Sequence, residues 1–199
     1  MSPTIILASK SAARTSVLSA AGVPFETQVA GVDEAAVKVA LLAEGQGPRG
    51  VADALAELKA IRVSRSRPGA LVIGADQTLD LDGGLFDKVE TMDEARERLQ
   101  LLRGKTHKLH SAVVVARDGQ AIWREVPSAK LTMRNVSDAF IDRYLAARGD
   151  DILGSVGCYQ LENEGVQLFS RIEGDYFTIL GLPLMGLFDF LRLHGALET

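Results

Sequence analysis

The stretch Leu71–Lys88, LVIGADQTLDLDGGLFDK, decides how the rest of the chain is read. Its opening, Leu71-Val72-Ile73, is a short apolar run of the kind that forms a buried strand. Gly74-Ala75-Asp76, followed by polar Gln77 and Thr78, predicts that this strand ends there and leaves Asp76 at its mouth. A second short segment, Leu79–Leu81, turns through Asp82-Gly83-Gly84 and arrives at Asp87-Lys88. A carboxylate at the end of a buried strand is costly unless it is solvated, paired or bound to a metal. With Asp80, Asp87 and Lys88 close by, metal-assisted chemistry on a phosphate is one use for it. A loop that caps a strand with solvated aspartates is another, and the spacing alone leaves both open.

Upstream, Thr4–Ala8 reads as a buried first strand that runs into Ser9-Lys10-Ser11. Ser11 suits the cap of a helix through Arg14, Val17, Leu18 and Ala21, ended by Gly22 and Pro24. Strand, small polar loop and helix N-terminus make a ready anion site, and Lys10 and Arg14 add positive charge; an ordinary capped helix with two solvated basic residues fits equally. Phe25–Ala30 is predicted as a second strand, and Asp33-Glu34 opens a short helix through Val37, Leu41 and Leu42. Gly45–Gly50 reads as a loop. From Val51, the spacing Val51, Leu55, Leu58, Ile61 gives one apolar helical face, with Lys59 beside it and expected to reach water.

Downstream, Thr91-Met92-Asp93-Glu94 is a capping box for a helix through Ala95, Leu99 and Leu102, closed by Gly104. Leu109–Ala116 and Ala121–Val126 flank Asp118-Gly119, the strongest hairpin signal in the chain, and Ala129–Met133 continues the sheet. Ser137 caps a helix with Phe140, Ile141, Tyr144 and Leu145 inward, stopped at Gly149. Gly154–Leu161 and Val166–Ile172 are predicted as two strands around Asn163-Glu164-Gly165. Pro183 suits the first turn of a last helix with Leu184, Leu187, Phe188 and Leu191 inward. Helices alternate with strands early and a hairpin follows, so the fold class is α/β with a mixed sheet.

The bulk properties exclude several classes. A chain of 199 residues, nearly half apolar, can bury a real core in one domain or two small lobes. A net charge of -4 argues against a nucleic-acid coat, and no aromatic-basic surface pattern appears. Cys158 has no partner for an internal disulfide, the opening apolar run is too short for a signal peptide, and no stretch reaches transmembrane length. These features predict a cytoplasmic protein that uses neither nucleic acid nor membrane. P-loop and dinucleotide fingerprints are missing. None of the three histidines pairs with Cys158 at zinc spacing, and His107 and His110 fall on opposite faces of one strand. Carboxylates, lysines and an anion-ready loop remain.

Four separated segments together resemble one family, the Maf-like (septum-formation) nucleotide pyrophosphatases. They are Leu7–Arg14 (LASKSAAR), Gly74–Thr78 (GADQT), Arg103–His107 (RGKTH), and a C-terminal set comprising Val156–Tyr159, Glu162, Leu168-Phe169, Ile172–Asp175 and Gly181–Leu184. The resemblance spans nearly the whole chain in order. It implies a single Maf-like domain over 1–199, with an elongated mixed sheet flanked by helices and two lobes around a cleft, as in inosine-triphosphatase-like folds. It implies hydrolysis of nucleoside triphosphates to the monophosphate and pyrophosphate with Mg²⁺ or Mn²⁺, in a homodimer. Carried over by position, Ser9 and Arg14 would hold the triphosphate, and Glu34 and Asp76 would serve metal or water. Lys59 and Lys88 would offset phosphate charge, and Gln77 and Glu162 would contact substrate.

The chain departs from the family pattern at Ala12 and Ala13, where a proline and an arginine are usual, and Lys10 is the nearest replacement for the lost contact. Gln77 and Glu162 resemble the branch that takes 7-methyl-GTP, whereas the dTTP/UTP branch tends to have threonine and glutamine. The aromatic residue typical of the former branch at the position of Ala13 is missing, so the resemblance leans to 7-methyl-GTP and leaves dTTP/UTP open. Tyr159 offers a base or ribose contact or simple packing, and Cys158 reads as a small buried packing residue. The competing function is a nucleotide-binding regulator of septum formation with little turnover.

Overall fold

The computed structural model describes residues 2–198. A buried strand, β1 (Ile5–Ala8), leads into α1 (Ala12–Ala20), whose cap Ser11 accepts from the Arg14 amide at 3.4 Å. The second strand, β2, is only Glu26–Thr27 rather than Phe25–Ala30, because both residues are exposed at the sheet edge and the chain leaves the sheet after them. Helices α2 (Glu34–Ala43) and α3 (Pro48–Ser64) follow. α3 begins inside the stretch read as a loop, since Pro48 fills a first-turn position whose amide has no helical partner. Its inward stripe also differs from the expected one. Val51 and Leu55 are buried, but Leu58 is exposed, and Ala52, Ala56, Lys59, Ala60 and Val63 complete the buried face.

Those small residues let α3 lie close on β3 (Leu71–Leu81), which runs unbroken through Gly74 and Asp76. The predicted end at Gly74-Ala75-Asp76 is therefore wrong. Past Gly74 come the short edge strand β4 (Gly84–Phe86), then α4 (Met92–Leu102) with its Thr91/Glu94 capping box, then β5 (Thr106–Arg117). β3 pairs antiparallel with β5 from Val72↔Ala116 to Asp80↔Lys108. That ladder holds polar Asp76, Gln77 and Thr78 in extended backbone against their loop-like composition, an instance of pairing overriding local propensity.

β6 (Gln120–Glu125) returns from β5 through Asp118 and Gly119, both at positive φ (51° and 80°), as the Asp-Gly signal requires. β7 (Ser128–Met133), α5 (Asp138–Arg148) capped by Ser137, β8 (Phe169–Glu173), the short α6 (Tyr176–Ile179) and α7 (Met185–Leu193) complete the chain. Pro183 precedes α7 instead of lying in its first turn; Leu187 and Leu191 are inward as expected, and Phe188 is only partly covered. Gly154–Leu161 is not a strand, and of Val166–Ile172 only Phe169–Ile172 is extended, within β8. Gly149–Gly154 and Glu164–Leu168 are 3₁₀ turns, and extended pairing begins only at Phe169. Cys158 sits at φ 58°, and a Cβ on Gly157 would lie 2.2 Å from the Tyr159 ring, so this segment folds back on itself.

The result is a mixed sheet of eight strands, ordered β2-β1-β3-β5-β7-β8, with β4 beside β3 and β6 beside β5. β1 pairs parallel with both neighbours and the other pairings are antiparallel. The long β3/β5 pair gives the sheet its length. Around the Leu71 end, α1, α7 and β1 build one hydrophobic cluster; around the Leu81 end, α4, α5 and β7 build another. On the edge of β3 between these ends, β1 reaches only as far as Gly74 and β4 starts only at Leu79. Ala75–Thr78 therefore have no strand partner on that side, and the chain opens there into a cavity.

Candidate active site

The cavity has a volume of about 670 Å³, in the range of small-molecule sites, and is lined from α1, α2, α3, β3 and the 151–162 segment. Its centre is an ionic triad. Lys59, delivered by α3, is 7% exposed, and its Nζ stands 2.7 Å from Asp76 Oδ1 and 2.9 Å from Glu34 Oε1. The expectation that Lys59 reaches water is overturned, because the alanine stripe carries its stem under the sheet, where only the two carboxylates can satisfy its charge. Asp33 caps α2 by accepting from the Ala36 amide at 3.1 Å, which aims Glu34 inward from the first turn. Burial tends to raise Glu34, but the hydrogen bond and charge of Lys59, with Lys38 and Arg14, outweigh it and hold the carboxyl below its ordinary range.

The approach of α3 is set by Gly74, two residues before Asp76 on the same face of β3. A Cβ at Gly74 would meet the Ala56 carbonyl oxygen at 2.1 Å and the Ala60 amide nitrogen at 2.7 Å. Only glycine permits that closeness, so Gly74 positions Lys59 against Asp76.

On the α1 side, Arg14 is partly buried. Its Nε donates to the Gly181 carbonyl at 2.8 Å, and its Nη1 to the Ala75 carbonyl at 3.1 Å and to Ser9 Oγ at 3.3 Å. Desolvation lowers its pKa while Asp76 and Glu34 push it back up. Ser9 Oγ also accepts from the Ser11 amide at 3.2 Å. The guanidinium thus braces β3 and the chain after α6 as well as adding positive charge to the cavity. Lys10 lines the cavity, is exposed, and has no ion-pair partner among the described residues. Lys88 lines it too, exposed at its edge and without an ion pair among the described residues; desolvation and the nearby Arg14 lower its pKa, against the pull of Glu34 and Asp76.

The remaining wall is mostly apolar, with Leu109, Tyr159, Leu161 and Ile179 beside the exposed carboxylate of Glu162. Gln77 is largely engaged in bracing. Its Nε2 faces Ser111 Oγ at 2.9 Å, the Ile179 carbonyl at 2.9 Å and the Thr178 carbonyl at 3.1 Å, which ties α6 to the sheet. Tyr159 is buried, packs edge-on to Phe169, and shares a 2.7 Å hydrogen bond with His107 Nε2. His107 is kept neutral by burial, with a pKa lowered to about 4. His110 lies on the other face against Asp80, at 3.2 Å, as the strand spacing predicts. Burial raises the Cys158 thiol to about 11, consistent with a packing role.

Among the described residues no group of three or more His, Cys, Asp or Glu side chains could hold a metal ion. Asp76 and Glu34 supply two carboxylates at one point, which suits a hard cation that fills its shell with substrate phosphates and water. Because both carboxylates already share a single ammonium, a polyphosphate brought beside them needs a further positive charge.

The cavity brings together the residues that the family resemblance assigns, since Ser9, Lys10, Arg14, Glu34, Lys59, Asp76, Gln77, Lys88 and Glu162 all line it; Asp80, singled out with Asp87 and Lys88, does not line it and faces His110 instead. Sequence reasoning missed Lys38, which also lines it and pairs with Asp87; its i+4 position from Glu34 was the available signal. It also missed Arg98, whose Nη1 donates to the Asp87 carbonyl at 2.8 Å and the Val156 carbonyl at 2.6 Å, fastening the Lys88 arm to the 151–162 segment. No local pattern marks Arg98.

The family model for Maf-like proteins matches residues 4–194. The chain belongs to the Maf-like family. Two similar relatives are the nucleoside triphosphate pyrophosphatase of Caulobacter vibrioides, 67% identical over 195 residues, and the 7-methyl-GTP pyrophosphatase of Brucella abortus, 52% identical over 198 residues. The first alignment covers 98% of each chain and the second 100% of each. A nucleoside triphosphate pyrophosphatase of Paramagnetospirillum magneticum is 56% identical over 96% of this chain and 99% of its own. No helix among the described residues of this Maf-like protein is long and apolar enough to cross a membrane.

Proposed function

We propose that this protein is a nucleoside triphosphate pyrophosphatase that hydrolyses the α–β phosphoanhydride to release a monophosphate and pyrophosphate. The observation that carries the reading is the Lys59 ammonium gathering Glu34 and Asp76 at the edge of an anion-ready cavity. The names of the relatives in Caulobacter vibrioides and Brucella abortus support it. In this reading Asp76 orients a water and takes its proton as the oxygen attacks the α-phosphorus. The bond from that phosphorus to the bridging oxygen breaks, and pyrophosphate leaves with its charge offset by Lys59, Lys88 and Arg14. Ser9 and the first amides of α1 hold phosphate oxygens, with Lys10 at the rim. Glu34 and Asp76 would hold a divalent cation, Mg²⁺ or Mn²⁺, which when bound supplies electrostatic stabilisation to the transferring phosphoryl group.

We assign 7-methyl-GTP as the preferred substrate over dTTP and UTP. The support is the apolar wall beside Glu162, whose carboxylate complements a positively charged methylated base, with Gln77 lining the same cavity. The protein acts as a cytoplasmic homodimer in this proposal, a setting that suits its single buried thiol. The test is pyrophosphate release from 7-methyl-GTP, dTTP, UTP and CTP with Mg²⁺ or Mn²⁺. Release fastest with 7-methyl-GTP is expected. Nucleotide binding without release from any triphosphate would overturn the reading and leave the septum-formation regulator.

A further inference from the structure

The Lys38–Asp87 pair joins α2 to the arm that carries Lys88, and neither residue has a role in the site as described so far. Glu34 and Lys38 are one helical turn apart on α2, so both face the cavity. The charge of Lys38 helps hold the Glu34 carboxyl below its ordinary range, so its ammonium acts on a carboxylate at the centre of the site. The two partners are not alike. The Lys38 side chain is 17% exposed, whereas that of Asp87 is 53% exposed and can pass into water without loss of solvation. A pair with one solvated half adds little to stability, so holding α2 in place is a weak reason for it.

The site is also short of a cation. Of the cations that line the cavity, Lys59 is held by two carboxylates and Arg14 by two backbone carbonyls, and Lys10 is exposed. We propose that Lys38 is a further phosphate-binding cation of this cavity, and that Asp87 occupies its ammonium group until a polyphosphate displaces it. The proposal rests on the pyrophosphatase reading. No covalent bond changes: one carboxylate–ammonium contact is exchanged for a phosphate–ammonium contact, and Asp87 turns to solvent.

The exchange predicts opposite signs for the two halves of one ion pair. Lys38→Met raises KM for the nucleotide and Ki for inorganic triphosphate by about tenfold, with the loss falling on KM more than on kcat. Asp87→Asn, which removes the competitor, lowers the same Ki by about threefold, and the gain vanishes in the double variant. Lys38→Arg restores most of the affinity. Both constants rising in both single variants would identify a structural strut and overturn the proposal, as would inhibition by triphosphate that ignores Lys38. Calorimetric binding of inorganic triphosphate judges Lys38 even if no nucleotide is hydrolysed, a result that would sink the pyrophosphatase reading instead. Thermal unfolding of each variant confirms that it is folded.

Discussion

Gly74→Ala is the smallest change that reaches the site without touching any residue in it. The added methyl would sit 2.1 Å from the Ala56 carbonyl oxygen, 2.7 Å from the Ala60 nitrogen and 2.8 Å from the Ala60 Cβ. The first two are backbone atoms of α3, so no side chain can rotate clear. Restoring ordinary contact requires α3 to withdraw by about 1 Å. Since Lys59 rides on α3 and Asp76 on β3, the 2.7 Å contact between them would lengthen beyond hydrogen-bond range. Overpacking of this kind costs about 1–3 kcal/mol, which in a domain of this size lowers Tm by roughly 2–12 °C. A displacement of about 1 Å in a catalytic constellation costs on the order of a hundredfold in rate. Pyrophosphate release and thermal unfolding, measured on the same preparation, test both halves. Wild-type stability would refute the tight approach of α3 to β3. A lowered Tm with full turnover would refute the claim that this approach positions the site.

Other outcomes follow from the same geometry. Lys59→Met leaves Asp76 buried without a cation and should lower stability by about 3–5 kcal/mol in denaturant unfolding, with turnover abolished. His107, with its folded pKa depressed to about 4 from 6.5, contributes stability that is full above pH 6.5 and is lost as pH falls toward 4. Its share of that loss is on the order of 2–3 kcal/mol between pH 7 and 4.5, and the acid slope of urea unfolding should flatten by that amount in His107→Gln. Cys158, its thiol raised to about 11 by burial, should resist alkylation at pH 8 in the native protein and react only on unfolding.

How much of this was legible in the sequence differs by element. Caps and tight turns were readable because their chemistry is local: Ser11, Thr91, Ser137 and Asp118-Gly119 all do what their positions predict. β3 was not, because its polar half is held extended by β5, a partner some 35 residues away in sequence. Residues 154–161 failed for the opposite reason: their apolar alternation looks like a strand, but the positive φ of Cys158 and the folded-back Tyr159 ring exclude one. At the site, the charged residues could be singled out one by one from the family resemblance. Their arrangement could not, since Lys59 reads as a surface lysine until the alanine stripe of α3 and Gly74 are seen to draw it under the sheet.

The central claim is that Asp76, gathered with Glu34 by Lys59, activates water for attack on a triphosphate. Asp76→Asn preserves the shape of the side chain and removes the carboxylate, so it tests that claim most directly. Followed by monophosphate and pyrophosphate release from 7-methyl-GTP with Mg²⁺, the variant should bind nucleotide while its turnover falls by at least about a hundredfold. Turnover within a few-fold of the wild type, in a variant that still unfolds cooperatively, would contradict the account.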